Sequence, residues 1–497
     1  MKLGSKIIKY PKNCTGFLLL TISLLFGLSQ PVIAYNFTDT TQTLLAQTLS
    51  SGELTDSITT VGKILLSGNF KTKDRIILRE MFLQPGMAVP TAEFKEKVER
   101  DRQRIFNTQL FTIVQARVIA RDNNKADIFI QLQERWYFVP NLIFKLADRN
   151  FNDWWTNQNR DMSRVNYGLR LKHGNFLGLS QKVAVQLQLG YSRSIRLNYY
   201  NPYIDKDQKT GVSLRYGYNE QHNIPINTVK NRRVFLDSSK VLLRSQNVGL
   251  SIIRRPSLNY FHQFSIGYFS RSFANSVIQE NPFYTSQQNS QQQIMALSYD
   301  FSHDKRDNAS YALNGYQYSI GAYYNEQLIK SAPSYGGVST TLNFYKPLSS
   351  RFFTSHTLNL RATSLANAPY SLQGGLGYSG FTVRGLELYV LEGQHSVLSR
   401  NEIKFQALNK VINLGKLMPF EQFRKVPLAL YPKLYLDGAY VYQQNPQFGN
   451  DLLLNKGVWG TGFGLDIVSY YDFVLKLEYS FNNLGERGFF FHLNTGF

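Results

Sequence analysis

The 497-residue sequence carries 55 Lys and Arg against 34 Asp and Glu, a formal charge of +21, and its single cysteine is Cys14. One cysteine excludes a disulfide framework and paired-thiol chemistry. The length accommodates a large barrel with one small domain beside it. There are 31 Tyr and 35 Phe, yet the mean hydropathy is negative, so the aromatic residues must be spread through polar sequence.

Residues 1–34 read as a secretory signal. Lys2, Lys6, Lys9 and Lys12 form the basic start, Gly16 to Leu28 the short apolar core, and Val32-Ile33-Ala34 the small-residue cleavage site. A membrane anchor would need a longer span. Without the four signal lysines the charge is still +17. Export argues against a nucleic-acid partner, and a basic lumen or basic loops against anionic lipid headgroups fit the charge better. No later segment has the length and apolarity of a membrane-spanning helix.

Residues 35–56 are rich in Thr, Gln and Ser and read as a linker. Residues 57–135 then form one α+β unit in the order β-α-α-β-β. Ile58 to Leu66 is strand-like and ends at the Gly68-Asn69 turn. Thr72 caps a helix carrying Ile76, Ile77 and Met81 that stops at Pro85-Gly86. A second helix after Thr91 places Phe94, Val98 and Ile105 on one face. Strands over Thr112 to Arg121 and Ala126 to Glu134 close the unit, with Ile128, Ile130 and Leu132 sharing a face. An open edge of such a sheet can pair with another extended chain.

From Trp136 to the end, 136–497, a period of two takes over. Val183, Val185, Leu187, Leu189 and Tyr191 alternate with Ala184, Gln186, Gln188 and Gly190, and Phe473 to Phe481 alternates in the same way. A soluble sandwich would bury the apolar face; a membrane barrel turns it to lipid. Strands are expected near 138–147, 163–172, 181–191, 193–200, 209–219, 244–255, 258–270, 293–303, 315–325, 336–346, 351–363, 397–408, 428–442, 457–467, 470–481 and 488–497. That makes about sixteen, an even number. Short turns such as Arg255-Pro256-Ser257 alternate with long connections at 220–243, 271–292, 364–396 and 443–456. This alternation is a barrel signature. Residues 409–427 form one long connection on the short-turn side. The fold class expected is therefore an all-β transmembrane barrel of about 16 antiparallel strands, preceded by a small α+β domain.

No catalytic, cofactor or metal constellation emerges. The seven histidines, His173, His222, His262, His303, His356, His395 and His492, lack ligand spacing, and Ser302 to Asp307 reads as a solvated turn. Gly460, Gly462 and Gly464 alternate along a strand with no helix after them, which excludes a phosphate loop.

The run Ser364 to Ser396 is too long and too apolar to be a plain connection. In a barrel this wide the loop can fold back into the lumen. Arg384 would then need an acidic partner, and strand phase turns two inward: Glu402 and Asp437. The chain ends with Phe489, Phe491, Leu493 and Phe497 on one face, an aromatic terminal strand.

The Val383-Arg384-Gly385 tip, the inward Glu402, Asp437-Gly438, Arg306-Asp307-Asn308 before Gly315-Tyr316, and the terminal Phe strand together resemble the BamA/TamA outer-membrane assembly family, the bacterial surface antigen group. Residues 57–135 look like its POTRA domain, with Gly68-Asn69 at that fold's first turn. Leu386 stands where the family tip usually continues with an aromatic residue. The resemblance implies a non-enzymatic protein of the bacterial cell outer membrane with its POTRA domain in the periplasm. It further implies assembly of β-barrel proteins through a seam between the first and last strands, and implies that Phe489, Phe491, Leu493 and Phe497 form a C-terminal insertion signal. Its partners would be unfolded outer-membrane proteins, membrane lipid, periplasmic chaperones and accessory lipoproteins. A single POTRA domain keeps open the alternative of a secretion channel for one exported polypeptide.

Overall fold

In the computed structural model, residues 57–494 are described apart from 122, 147–161, 330–332, 379–380, 416–417, 419–423 and 447–449. The expected signal, linker and Phe497 lie outside them.

The α+β unit comprises β1 (Ile58–Ser67), α1 (Asp74–Leu78), β2 (Ala88–Pro90), α2 (Thr91–Asn107), β3 (Phe111–Arg121) and β4 (Lys125–Glu134). Its sheet order is β2-β1-β4-β3, with β1 parallel to β4. The parallel pair needs a crossover, and the two helices supply it. Phe94, Val98 and Ile105 of α2 pack with Val61, Ile128 and Ile130 of the sheet, each apolar side chain contributing about 1.5–3 kcal/mol when fully buried. Asp101, also on the buried face, accepts the N–H groups of Phe82 and Leu83 at 2.9 and 3.0 Å and so ties α2 to the segment after α1.

Thr72 does not cap α1. Lys73 holds that position without a side-chain bond. The Thr72 hydroxyl instead donates to Glu134 at 2.7 Å and accepts from Asn175 at 2.8 Å. A more demanding buried set of polar groups has taken the hydroxyl. Helix α1 is also shorter than expected, and buried Met81 lies beyond it.

The remaining chain builds β5 (Phe138–Leu146), β6 (Val165–Phe176), β7 (Gln181–Gly190), β8 (Ser194–Asn201), β9 (Thr210–Gln221), a separate hairpin of β10 (Asn223–Val229) and β11 (Arg232–Asp237), β12 (Leu243–Arg254), β13 (Tyr260–Phe273), α3 (Asn275–Glu280), β14 (Gln291–Asp304), β15 (Gly315–Gln327), β16 (Tyr335–Pro347) and β17 (Phe352–Thr363). There follow the short pair β18 (Gly375–Leu376) and β19 (Leu391–Glu392), then β20 (His395–Phe405), β21 (Leu408–Asn413), β22 (Lys425–Tyr442), β23 (Gly457–Ser469), β24 (Val474–Asn482) and β25 (Arg487–Asn494). Both β20 and β21 pair with β22 and form one stave, so seventeen segments make sixteen staves in a cyclic order that sets β25 beside β5. Most registers are regular, with a shift between His173 and Phe176 in β6–β7; β12 and β13 pair from Leu243↔Phe273 to Arg254↔His262 without one.

Leu187, Leu250, Ile252, Phe264, Leu434 and Leu436 are exposed on the outer face of the staves, as are Phe489, Phe491 and Leu493 of β25. Among the described residues no helix is long and apolar enough to cross a membrane. The long connection at 409–427 resolves into an extension of its own hairpin, because β21 and β22 continue pairing to Asn413↔Lys425. Ser302, His303 and Asp304 belong to β14 and not to a turn; His303 is buried with its ring stacked on Tyr260 at 4.2 Å.

The α+β unit lies against five turns at the short-turn end. Lys73 N–H donates to Gly178 O, Arg79 Nε to Gln208 O, and Asn107 Nδ2 to Arg306 O. Arg135 pairs with Asp472 at 2.6 Å. Arg255 clasps Glu80 with two bonds of 2.6 and 2.7 Å, and Tyr203 donates to the same carboxylate. Burial alone would raise the Glu80 pKa; the Arg255 charge overrides it and holds the carboxyl below its ordinary value of 4.5. A depressed folded value stabilises fully above that ordinary value and is lost as pH falls through the lowered one. Arg255→Ala leaves Glu80 buried without its cation, a loss of about 3–5 kcal/mol. Hydrogen exchange over 74–107 is expected to speed up in this variant at neutral pH, and in the wild type only at acid pH, with barrel exchange slow in both.

Candidate functional site

The Ser364–Ser396 loop turns back into the barrel. Leu376, Val383, Leu386, Tyr389 and Leu391 are buried in one cluster with Leu398, Ala439, Val441 and Val458 of the wall. A tight turn forms its tip, where Leu386 N–H donates to Val383 O at 3.0 Å. Gly385, third of the four residues, has φ of +89°, a conformation that strains any residue with a Cβ.

That turn places Arg384 among three carboxylates. Its Nε donates to Asp437 Oδ2 at 2.8 Å and its second terminal nitrogen to Oδ1 at 2.5 Å, a two-pronged contact. The backbone N–H of Arg384 also reaches Oδ2, at 3.1 Å. The remaining nitrogen contacts Glu402 and, at 3.5 Å, Glu478. The guanidinium lies 4.0 Å from the centre of the Tyr435 ring, a geometry that adds cation–π attraction. Arg384 is 6 % exposed and Asp437 0 %.

Facing strands bring the acids together. Asp437 pairs in register with Arg400, and Glu402 with Tyr435. Arg400 Nε donates to Thr382 O, fixing the residue two before Arg384. A second layer extends along the wall: Lys433 contacts Glu478 at 2.6 Å and Asp466 at 2.7 Å, Lys404 contacts Glu402 at 2.9 Å, and Tyr311 donates to Asp466 at 2.9 Å. His492 of β25 lies 3.3 Å from Glu478 and 3.8 Å from Glu387, so the loop and the last stave share this network.

Sequence reasoning named Val383, Arg384, Gly385, Glu402 and Asp437, and the structure brings them together. It did not name Lys433, Tyr435, Asp466, Glu478, Lys404 or Arg400. The usable signal was strand phase: Lys433, Tyr435 and Asp437 alternate with exposed Leu434 and Leu436. Arg306 and Asp307 lie elsewhere, in the β14–β15 turn, where Arg306 grips Asp304 and Asp307 accepts the N–H of Asn308. Phe489, Phe491 and Leu493 also stand apart, on the outer face. Among the described residues no His, Cys, Asp and Glu set is arranged to hold a metal.

Residues 175–497 match the model of the Omp85 superfamily domain. The chain belongs to the Omp85 superfamily. Members of the superfamily act on unfolded outer-membrane or exported polypeptides as assembly factors or transporters. Similar solved structures include BamA from Haemophilus ducreyi lacking POTRA domains 1–3, at 17 % identity and TM-score 0.45 over 88 % of this chain and 83 % of that one. CdiB from Escherichia coli matches at 13 % identity and TM-score 0.49, and CdiB from Acinetobacter baumannii at 12 % and 0.46, each over 88 % of this chain and 74 % of the other. No curated protein matches by sequence.

Gly460 of β23 gains a reason from the site. A Cβ on Gly460 would sit 1.8 Å from Arg384 O, so the bare strand is the surface on which the loop tip lies. Gly460→Val, otherwise favourable to a strand, is expected to dislodge the tip at a cost of about 1–3 kcal/mol. Protease cleavage within 364–396 should appear in a barrel that still folds; unchanged resistance would contradict the placement.

Proposed function

We propose that this Omp85 protein inserts β-barrel proteins into the outer membrane through a seam between β5 and β25. The observation that carries the reading is the filled lumen. Arg384 pins one loop inside, and the β10–β11 hairpin closes over it. Asn231 at the hairpin tip is fully buried, its backbone N–H donating to Asn450 at 2.9 Å and its side-chain amide to Val390 O at 3.1 Å. With the axial route occupied by bonded loops, the wall is the route left to a client.

The sheet order, with β25 beside β5, supports that seam. Unpaired strand edges are costly in lipid and template any strand that meets them. Pro140 removes one backbone donor near the start of β5, which weakens the first stave where pairing must open. The aromatic outer face of Phe489, Phe491 and Leu493 suits a terminal strand at a lipid boundary. Residues 57–135 act as a periplasmic POTRA domain that guides clients, and its exposed edge strand β3 suits an extended chain. The finer identities of chaperones and accessory lipoproteins follow from this reading as expected partners.

Reconstitution into liposomes tests it, with the folding rate of an unrelated outer-membrane barrel as readout. The full chain is expected to accelerate folding by about tenfold or more over empty liposomes, equivalent to about 1.4 kcal/mol of barrier, and Arg384→Ala to lose most of that gain. Well-folded protein that gives no acceleration would overturn insertion and favour a dedicated secretion channel for one exported polypeptide.

A further inference from the structure

Three connections at the long-loop end, 274–290, 364–394 and 443–456, meet around a cavity of about 590 Å³ that the Arg384 cluster does not use. That volume lies within the range of small-ligand sites. In the orientation proposed above, this end faces the cell exterior.

Phe283 stands on the cavity rim, 76 % exposed. Its backbone is nonetheless fixed: the N–H donates to Asn281 Oδ1 at 2.9 Å, and the carbonyl accepts from Tyr370 N–H at 3.0 Å. The next residue, Tyr284, is buried against Phe273 and Tyr370. A large apolar ring is thus presented to solvent from a rigid base, where a mere loop tip would carry a polar residue.

The walls mix apolar residues such as Leu365, Pro369 and Leu372 with side chains that can meet hydroxyls. Among the described residues Arg361 is the one cation lining the cavity, and it donates to Gly393 O at 3.2 Å with one of its five N–H groups. Gln373 Oε1 is buried and accepts no hydrogen bond among the described residues; a buried acceptor without a donor is a rare and costly feature. Gln443 Nε2 donates to Ala366 O at 3.2 Å and Asn445 O at 3.4 Å, which leaves its Oε1 as a further acceptor. Deeper in, buried Glu392 accepts from Thr228, Tyr378 and Asn450. One cation is too few for a phosphate-bearing ligand.

We propose that this cavity binds a saccharide unit of a glycan, with the apolar face of the sugar ring stacked on Phe283 and its hydroxyls bonded to Arg361, Gln373 and Gln443. A sugar hydroxyl is both donor and acceptor, which matches the remaining Arg361 N–H groups and the two glutamine carbonyls together. The glycan can be free or attached to a surface lipid, since the recognised chemistry is the same.

The test is a glycan array probed with the folded, detergent-solubilised full chain, followed by titration of the best-retained oligosaccharide in free form and on vesicles carrying it as a lipid conjugate. Retention of a defined glycan class is expected. Phe283→Ala and Arg361→Ala should each weaken it by about tenfold or more, Phe283→Trp should retain it, and heat-modifiable gel mobility should be unchanged in all three. Stronger binding to the vesicle form assigns the site to a surface lipid, and equal binding to free oligosaccharide; either supports the site. No glycan retained, or binding as tight in Phe283→Ala as in the wild type, overturns it.

Discussion

The arrangement of the lumen depends on one buried cation. Arg384 lies inside the barrel wall, where an unpaired guanidinium would be costly, and it is held by Asp437, Glu402 and Glu478 with Tyr435 beneath it. Such a contact tolerates little displacement, because geometry decides whether attraction exceeds desolvation. Several otherwise unrelated features then share a cause. Gly385 provides the backbone turn that aims the side chain, Gly460 clears the floor under it, and Arg400 fixes Thr382 just before it. The apolar cluster of Val383, Leu386 and Leu391 carries the loop to that point.

The same network reaches both neighbours of the barrel interior. Through Glu387 and Glu478 it meets His492 on the last stave, so the seat of the loop and the state of that strand are physically connected. At the short-turn end a second set of buried pairs, Glu80–Arg255 and Arg135–Asp472, holds the α+β unit across the turns. Polar contacts with exact geometry hold the interior and the short-turn end, while the outer face is mostly apolar.

The stave pattern was legible because a membrane barrel repeats one rule: apolar out, polar in, with short turns alternating with long loops. The β23 glycines were legible as a strand face, but the purpose of Gly460 depends on a loop more than seventy residues earlier. The β10–β11 hairpin was missed for a local reason. Its two-residue turn is Lys230-Asn231, both with positive φ, and lacks the Asn-Gly or Asp-Gly pair that marks such turns. Thr72 misled in the other direction, since a residue suited to cap a helix was taken by a buried set made of distant Glu134 and Asn175. Arg384, Glu402 and Asp437 were legible because a long apolar loop with one arginine needs inward acids. Lys433, Asp466 and Glu478 were in the same phase, but nothing in the sequence assigned them to each other.

The most direct measurement is a double-mutant cycle on Arg384 and Asp437, using Arg384→Met, Asp437→Leu and the pair, with unfolding of the folded barrel in detergent as readout. The account predicts that the two single losses overlap strongly, leaving a coupling energy of about 2–3 kcal/mol between residues in contact. Additive losses, with coupling below about 0.5 kcal/mol, would contradict the claim that this pair holds the loop in the lumen.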